Sequence, residues 1–151
     1  MTDTELDPYF PLLTTGARLY ILARTDIPQM NPGKGWAQGG HAGTQFVFDV
    51  LDSENEKLTD EMDGWCRQSQ SRGFGVKITL AATEIDIRVA IQTLKHDYNL
   101  QTGIIIDDTY PMTNHFGVPF TRAELTSGYV FAPTDTPQAA LDYLRKFELH
   151  P

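Results

Sequence analysis

Short apolar runs alternate along this chain with segments whose apolar residues fall at helical spacing. Arg18-Leu19-Tyr20-Ile21-Leu22-Ala23-Arg24 is almost continuously apolar, as expected of a strand covered on both faces. Thr25 to Gly35 holds two prolines, two glycines and an asparagine and reads as a loop. From Lys34 to about Leu51 the pattern predicts a helix with Ala37, Val47, Phe48 and Leu51 on its core side. Gly39, Gly40 and Gly43 lower its helix propensity, so a packing or close-approach reason for them is expected. Ser53-Glu54-Asn55-Glu56 has capping-box spacing. It predicts a second helix burying Leu58, Met62 and either Trp65 or Cys66.

Phe74 to Leu80 alternates apolar with small or polar residues, the mark of a half-buried strand. Thr83-Glu84-Ile85-Asp86 resembles a helix N-terminus, and Ile87, Ala90, Ile91, Leu94 and Tyr98 continue at helical spacing. Gly103-Ile104-Ile105-Ile106 predicts a buried strand ending on Asp107-Asp108. A longer loop over 108–127, with Pro111, His115 and Pro119, leads to a fourth strand from Gly128 to Pro133. Thr136-Pro137, with proline at the first helical position, opens a last helix carrying Leu141, Leu144 and Phe147.

The order β-α-α-β-α-β-β-α predicts an α/β layer fold with a small, mostly parallel sheet flanked by helices. Residues 1–16, acidic and proline-containing, read as an N-terminal extension, and 17–151 as a single domain. In such sheets, sites gather outside the carboxyl ends of the strands. The first strand ends into the Lys34 loop and the third at Asp107, so a lysine and a carboxylate are expected to meet at one sheet end.

Composition adds bounds. At 151 residues a single domain can bury roughly two-thirds of its unfolded surface. No apolar run is long enough to span a membrane, and the acidic N-terminus does not read as a secretory signal. The single cysteine, Cys66, excludes an internal disulfide and fits a reducing compartment, so a cytoplasmic location is expected. A net charge of −8 argues against a nucleic-acid partner, but its distribution softens that. Residues 1–16 carry a net −3 and residues 49–63 a net −6, which leaves the remainder near neutral.

The candidate chemistry centres on Lys34, Gln38 and His41, which share one helix face at i, i+4 and i+7. Gly33-Lys34 is no phosphate loop: Pro28 and Gly35 stand where that motif needs a glycine and a serine or threonine. A lysine near a helix start is mildly unfavourable, which leaves an anion or oxyanion partner open beside a plain surface role. His41 reads either as a functional residue or as a hydrogen-bonded core or boundary histidine. Gly39 and Gly40 read either as close-approach or as packing positions. Asp107 and Asp108 read either as functional carboxylates or as turn residues; with Thr109 they could orient a water. His41, His96, His115 and His150 show no metal-ligand spacing, so no metal and no cofactor is expected. Cys66 falls at a helix-core spacing rather than beside a base. Trp36, Trp65 and the tyrosines read as core or boundary residues.

Arg24-Thr25-Asp26-Ile27 followed by Lys34-Gly35-Trp36-Ala37-Gln38-Gly39-Gly40-His41-Ala42 resembles the peptidyl-tRNA hydrolase family of the archaeal and eukaryotic type. That family reads Arg-x-Asp-Leu, then Lys-x-x-Ala-Gln-x-x-His-Ala. Gly75 to Leu80, Trp65 and Val130-Phe131-Ala132-Pro133 add weaker likeness, and the whole covers about residues 18–149. The resemblance implies a three-layer α/β/α fold with a small mixed four-stranded sheet. It also implies hydrolysis of the ester joining a peptide to tRNA, a reaction needing an oriented water and a stabilised oxyanion. Residue by residue, Lys34, Gln38 and Asp107 match family functional positions, with Thr109 a candidate for the family's threonine. Arg24, Asp26, Gly39, Gly40 and His41 are expected on the substrate side. The implied partner is the acceptor end of tRNA, with no membrane, and a homodimer is compatible with the pattern.

The chain departs from the family after Asp107. Asp108-Thr109-Tyr110-Pro111-Met112 replaces Ala-Gly-x-Thr-Gln, so Pro111 stands at the threonine's place. The connection to the last strand is also longer, bringing in His115 and Arg122. Two further readings therefore accompany the tRNA esterase: a related hydrolase of another ester or amide, and a catalytically silent relative that binds tRNA or a protein.

Overall fold

The first strand, β1 (Arg18–Arg24), sends its side chains to two separate cores. Leu19 and Ile21 join one buried cluster, Tyr20 and Leu22 the other, as the period of two in a strand requires. The computed structural model of the protein describes residues 16–67 and 75–151. Residues 1–15 of the expected N-terminal extension, and Phe74 of the expected second strand, lie outside that range.

After β1 come α1 (Pro32–Asp52), α2 (Glu56–Arg67), β2 (Lys77–Ala82), α3 (Glu84–Tyr98), β3 (Gln101–Thr113), β4 (Pro119–Ala132) and α4 (Gln138–Leu144). The element order is the one read from the sequence. The sheet runs β2-β1-β4-β3. Only β1 and β2 pair in parallel; β4 is antiparallel to both β1 and β3. The sheet is mixed, and the expectation of a mostly parallel one is corrected.

The correction traces to the segment after Asp107. It is not a loop: β3 continues to Thr113, turns, and returns as β4 from Pro119. The turn is built by Asn114, whose side-chain oxygen accepts from the amides of Phe116 (2.9 Å) and Val118 (3.0 Å). Gly117 takes the positive φ of +79° that this turn demands. Pro111 is tolerated inside β3 because β3 is an edge strand, where a missing N–H breaks no inner ladder.

Helices cover both faces. Phe46 and Val50 of α1 and Met62 and Trp65 of α2 pack with Leu19, Ile21, Tyr129 and Phe131. Ile87, Ala90, Ile91 and Leu94 of α3 and Ala140 and Leu144 of α4 pack with Tyr20, Leu22 and Val130. Gly75 is obligatory against the first set, because a Cβ there would lie 1.9 Å from the Trp65 ring.

Three local readings change. Helix α1 starts at Pro32, capped by the Asn31 side chain on the Lys34 amide (3.0 Å). Its buried face is Gln38, Ala42, Phe46 and Val50. Of the expected core residues, Val47 is half-buried against the cluster, while Ala37, Phe48 and Leu51 face solvent. The pattern misled because a polar residue, Gln38, sits on the true inner face. At the α1–α2 junction, Ser53 closes α1 through its hydroxyl on the Val50 carbonyl (2.6 Å). Asn55 starts α2 by accepting from the Leu58 amide (3.1 Å). The helix N-terminus expected at Thr83 is present, and Thr83 and Asp86 close it with a reciprocal capping box.

Candidate active site

The buried polar residue of α1 leads to the site. Gln38 is 5% exposed, and burying an amide demands that both its ends be bonded. Its Oε1 accepts from the Thr126 hydroxyl of β4 at 2.5 Å, and its Nε2 donates to Asp107 Oδ2 of β3 at 2.7 Å. The carboxylate can only accept, so it fixes which end of the amide faces it. The other carboxylate oxygen, Oδ1, accepts from the Thr109 amide (2.9 Å) and the Thr109 hydroxyl (3.1 Å). Asp107 is thus held through both oxygens by three donors, in a stretch where the β3–β4 register shifts between Asp107 and Tyr110. Bulges of this kind re-aim side chains out of a regular ladder. The turn bonds expected of Asp107 fall on Oδ1, and Oδ2 is left to Gln38.

This environment sets the charge. Burial pushes the Asp107 carboxyl up, but the Gln38 bond, the two Thr109 bonds and the nearby His41 together hold it below its ordinary value. Asp107 is therefore a stable carboxylate at neutral pH, better suited to orienting a water than to keeping a proton. The same shift predicts a stability effect. A carboxyl titrating lower in the folded than in the unfolded state contributes stability above the unfolded value, and loses it as pH falls through the folded one. Urea midpoints measured from neutral pH down through the carboxylate range will fall less steeply for Asp107→Asn than for the wild type. Parallel acid limbs would refute the assignment.

Lys34 stands one turn before Gln38 but makes no bond to Asp107. Its ammonium donates to the Gln29 carbonyl (2.8 Å) and the Pro111 carbonyl (2.6 Å), 4.8 Å from the Tyr110 ring centroid. The Gln29 side chain brackets Thr113, donating to its carbonyl and accepting from its amide, both at 2.7 Å. The Tyr110 hydroxyl donates to the Pro28 carbonyl (3.0 Å). These bonds pin the loop before α1 to the extended β3–β4 hairpin, over the small cluster of Ile27, Tyr110 and Met112. The lysine and carboxylate expected to meet at a strand end instead share one stretch of β3, four residues apart.

Arg24 and Asp26 are committed to each other at 2.9 Å. Arg24 also pairs with Glu84 (3.2 Å) and Glu124 (2.9 Å), and Asp26 accepts from the Glu84 amide at the start of α3 (3.1 Å). They brace the end of β1 and the start of α3 against the interior of β4, where Glu124 is the ladder partner of Asp107.

His41 is solvent-exposed rather than a core histidine, and lines an open groove of about 360 Å³ with Asp107 and Asp108. Trp36 is 85% exposed, against the expectation of a core or boundary residue. Among the described residues, a Cβ added at Gly39 or Gly40 would meet nothing within 4 Å, so packing does not explain these glycines. Nor do three or more His, Cys, Asp or Glu side chains gather to hold a metal ion among the described residues. Thr126 was not foreseen from the sequence, because its partner Gln38 lies 88 residues away in the chain.

No family model matches the chain. Among curated proteins it is similar to the peptidyl-tRNA hydrolases of Saccharolobus islandicus strains L.S.2.15, M.14.25 and M.16.27. Each is 29% identical over 90 residues, which is 60% of this chain and 70% of that protein.

Proposed function

We propose that the protein hydrolyses the ester between a peptide, or an N-acylated amino acid, and tRNA, releasing free tRNA. The observation that carries this reading is the Asp107 carboxylate, anchored on both oxygens at the edge of an open groove. The distant peptidyl-tRNA hydrolase relatives point the same way. Asp107 orients the attacking water with its remaining lone pair, while Gln38 and Thr109 keep the carboxylate ionised and aimed. Water attacks the ester carbonyl, the bond to the ribose oxygen breaks, and the proton leaves with the ribose hydroxyl. Lys34, with two N–H groups on carbonyls, has a third for the ester oxygen or the adjacent phosphate. All these residues come from one chain, so the site does not require a homodimer. On this reading the protein works in the cytoplasm, as a divergent relative of the archaeal and eukaryotic type.

One observation favours a second reading, a hydrolase of another ester or amide. The arginines around the site are paired with acids: Arg24 with three carboxylates, Arg122 with Glu124 and Arg88 with Glu84. Phosphate binding therefore has few uncommitted cations to draw on among the described residues. Incubation with N-acetylaminoacyl-tRNA, following release of the acyl group, separates the readings. Release above the uncatalysed rate that disappears in Asp107→Asn supports the esterase. Binding without release points to a silent relative, and neither points to another substrate.

Gly40 gives an independent test. Alanine in an exposed helix position stabilises by about 0.5–1 kcal/mol relative to glycine, and a Cβ there meets no protein atom within 4 Å. Gly40→Ala should raise the thermal midpoint while lowering kcat/KM, because the methyl stands where the substrate approaches. A more stable variant with unchanged kcat/KM would remove Gly40 from the substrate side.

A further inference from the structure

The groove beside Asp107 has walls that ester hydrolysis by itself does not need. Helix α1 turns His41, Thr44, Gln45 and Phe48 toward it, at i, i+3, i+4 and i+7, and β3 supplies Ile105, Ile106, Asp107 and Asp108. Phe48 and Ile106 are each 58% exposed, although both are large and apolar. Exposed apolar side chains scattered singly need no explanation. Two of them lining one groove that ends at an anchored carboxylate do, since ligand sites pair apolar walls with a few placed polar groups.

We propose that this groove is the acyl subsite of the enzyme. It receives the side chain of the amino acid whose carboxyl forms the scissile ester, favours apolar side chains against Phe48 and Ile106, and rejects anionic ones. The inference rests on the ester-hydrolase reading above and names the half of the substrate that the groove takes. Its volume of about 360 Å³ is at the small end of ligand sites, which run from roughly 300 to 1,000 Å³. That suits one amino-acid-sized group rather than a long peptide. Its charge also discriminates between the two halves of the substrate. Asp107 and Asp108 are both acidic, Asp108 is exposed, and no ion pair among the described residues neutralises it. A nucleotide laid here would bring its phosphate against two carboxylates, and like charges at close range repel. An uncharged acyl side chain meets no such penalty and covers apolar surface.

Release from N-acetyl-phenylalanyl-, N-acetyl-glycyl- and N-acetyl-aspartyl-tRNA should be compared for the wild type, Phe48→Ala and Asp108→Asn. The wild type should prefer the phenylalanyl substrate over the glycyl one by about tenfold in kcat/KM, the scale of a small apolar contact in a pocket. Phe48→Ala should bring that ratio close to one, and Asp108→Asn should narrow the gap between phenylalanyl and aspartyl substrates. Phe48 and Asp108 are exposed, so both variants should keep the wild-type melting temperature. Equal rates on all three substrates, or ratios unmoved by Phe48→Ala, would overturn the subsite and leave the hydrolase reading intact.

A binding measurement that needs no turnover separates the two ideas further. Amide chemical shifts of the wild type should be followed with N-acetyl-phenylalanine amide, N-acetyl-aspartic acid amide and adenosine monophosphate. Shifts at Gln45, Phe48 and Ile106 with the phenylalanine probe alone support the subsite, even if no tRNA ester is cleaved and the hydrolase reading falls. No shifts there with that probe, or the same shifts with adenosine monophosphate, would overturn it.

Discussion

Asp107→Asn should abolish most of the release of acyl groups from N-acetylaminoacyl-tRNA, by about a hundred- to ten-thousandfold in kcat, while the protein stays folded. The carboxylate's partners explain both halves of that result. In the wild type the hydrogen bonds run in one direction, from Thr126 to Gln38 and from Gln38 to Asp107. Asparagine places an N–H where Gln38 also donates, and the conflict is relieved when the Gln38 amide turns over. Its oxygen then accepts from the asparagine, and its nitrogen donates to the Thr126 hydroxyl, which can accept as well as donate. The Thr126 hydroxyl proton is left without its acceptor in a residue 1% exposed, a loss of about 1 kcal/mol. The charge, however, is gone, and with it the acceptor strength that the proposed mechanism uses to orient the water. Asp107→Ala is the less informative variant, because it leaves the buried Gln38 amide without its carboxylate partner and mixes a folding defect with a chemical one. A rate for Asp107→Asn above one-tenth of wild type, at a melting temperature within a few degrees, would remove Asp107 from the chemistry.

Much of this arrangement was legible in the sequence because it rests on local signals. The apolar run of β1, the periodicity of α3 and the helix start at Thr83 are each written within a few residues, and each appears as read. Gln38 and Asp107 could be singled out by position, and they are bonded to each other. What the sequence hid depends on distant partners. Gln38 lies on the inner face of α1 only because Thr126 and Asp107 wait there to satisfy it, and neither is near it in the chain. A pattern of apolar residues alone rotates the helix the wrong way and sends Phe48 to the core. The hairpin was hidden for a different reason. Pro111 and Pro119 read as loop residues, yet one lies within an edge strand and the other begins β4, positions where a missing N–H is tolerated. Lys34 was visible as an unusual residue, but its carbonyl partners belong to Gln29 and Pro111, whose main chains carry no side-chain signature.

The position of α1 on the sheet depends most on Phe46, and Phe46→Ala should cost about 3–5 kcal/mol of stability. Phe46 is fully buried, with ring centroids 4.7 Å from Phe131, 5.4 Å from Trp65 and 5.6 Å from Tyr129. It therefore joins α1, α2 and the sheet in one aromatic cluster. Alanine there removes the ring and leaves a cavity among rigid neighbours that cannot collapse into it. Trp65 is tied to the Val76 carbonyl at 2.8 Å, and Tyr129 is bonded to Asp49 and Gln101. Against a total stability of roughly 5–15 kcal/mol for a domain, the loss is large enough to read directly from urea unfolding. It also separates position from chemistry. Phe46 lies two turns beyond Gln38 on the same buried face, so loosening it frees the helix that holds Gln38 against Asp107. Activity in Phe46→Ala should fall along with the folded fraction and recover when the temperature is lowered, whereas Asp107→Asn should stay inactive at every temperature. A Phe46→Ala protein with wild-type stability would mean that the aromatic cluster does not fix α1. The placement of Gln38 would then have to rest on its own two hydrogen bonds.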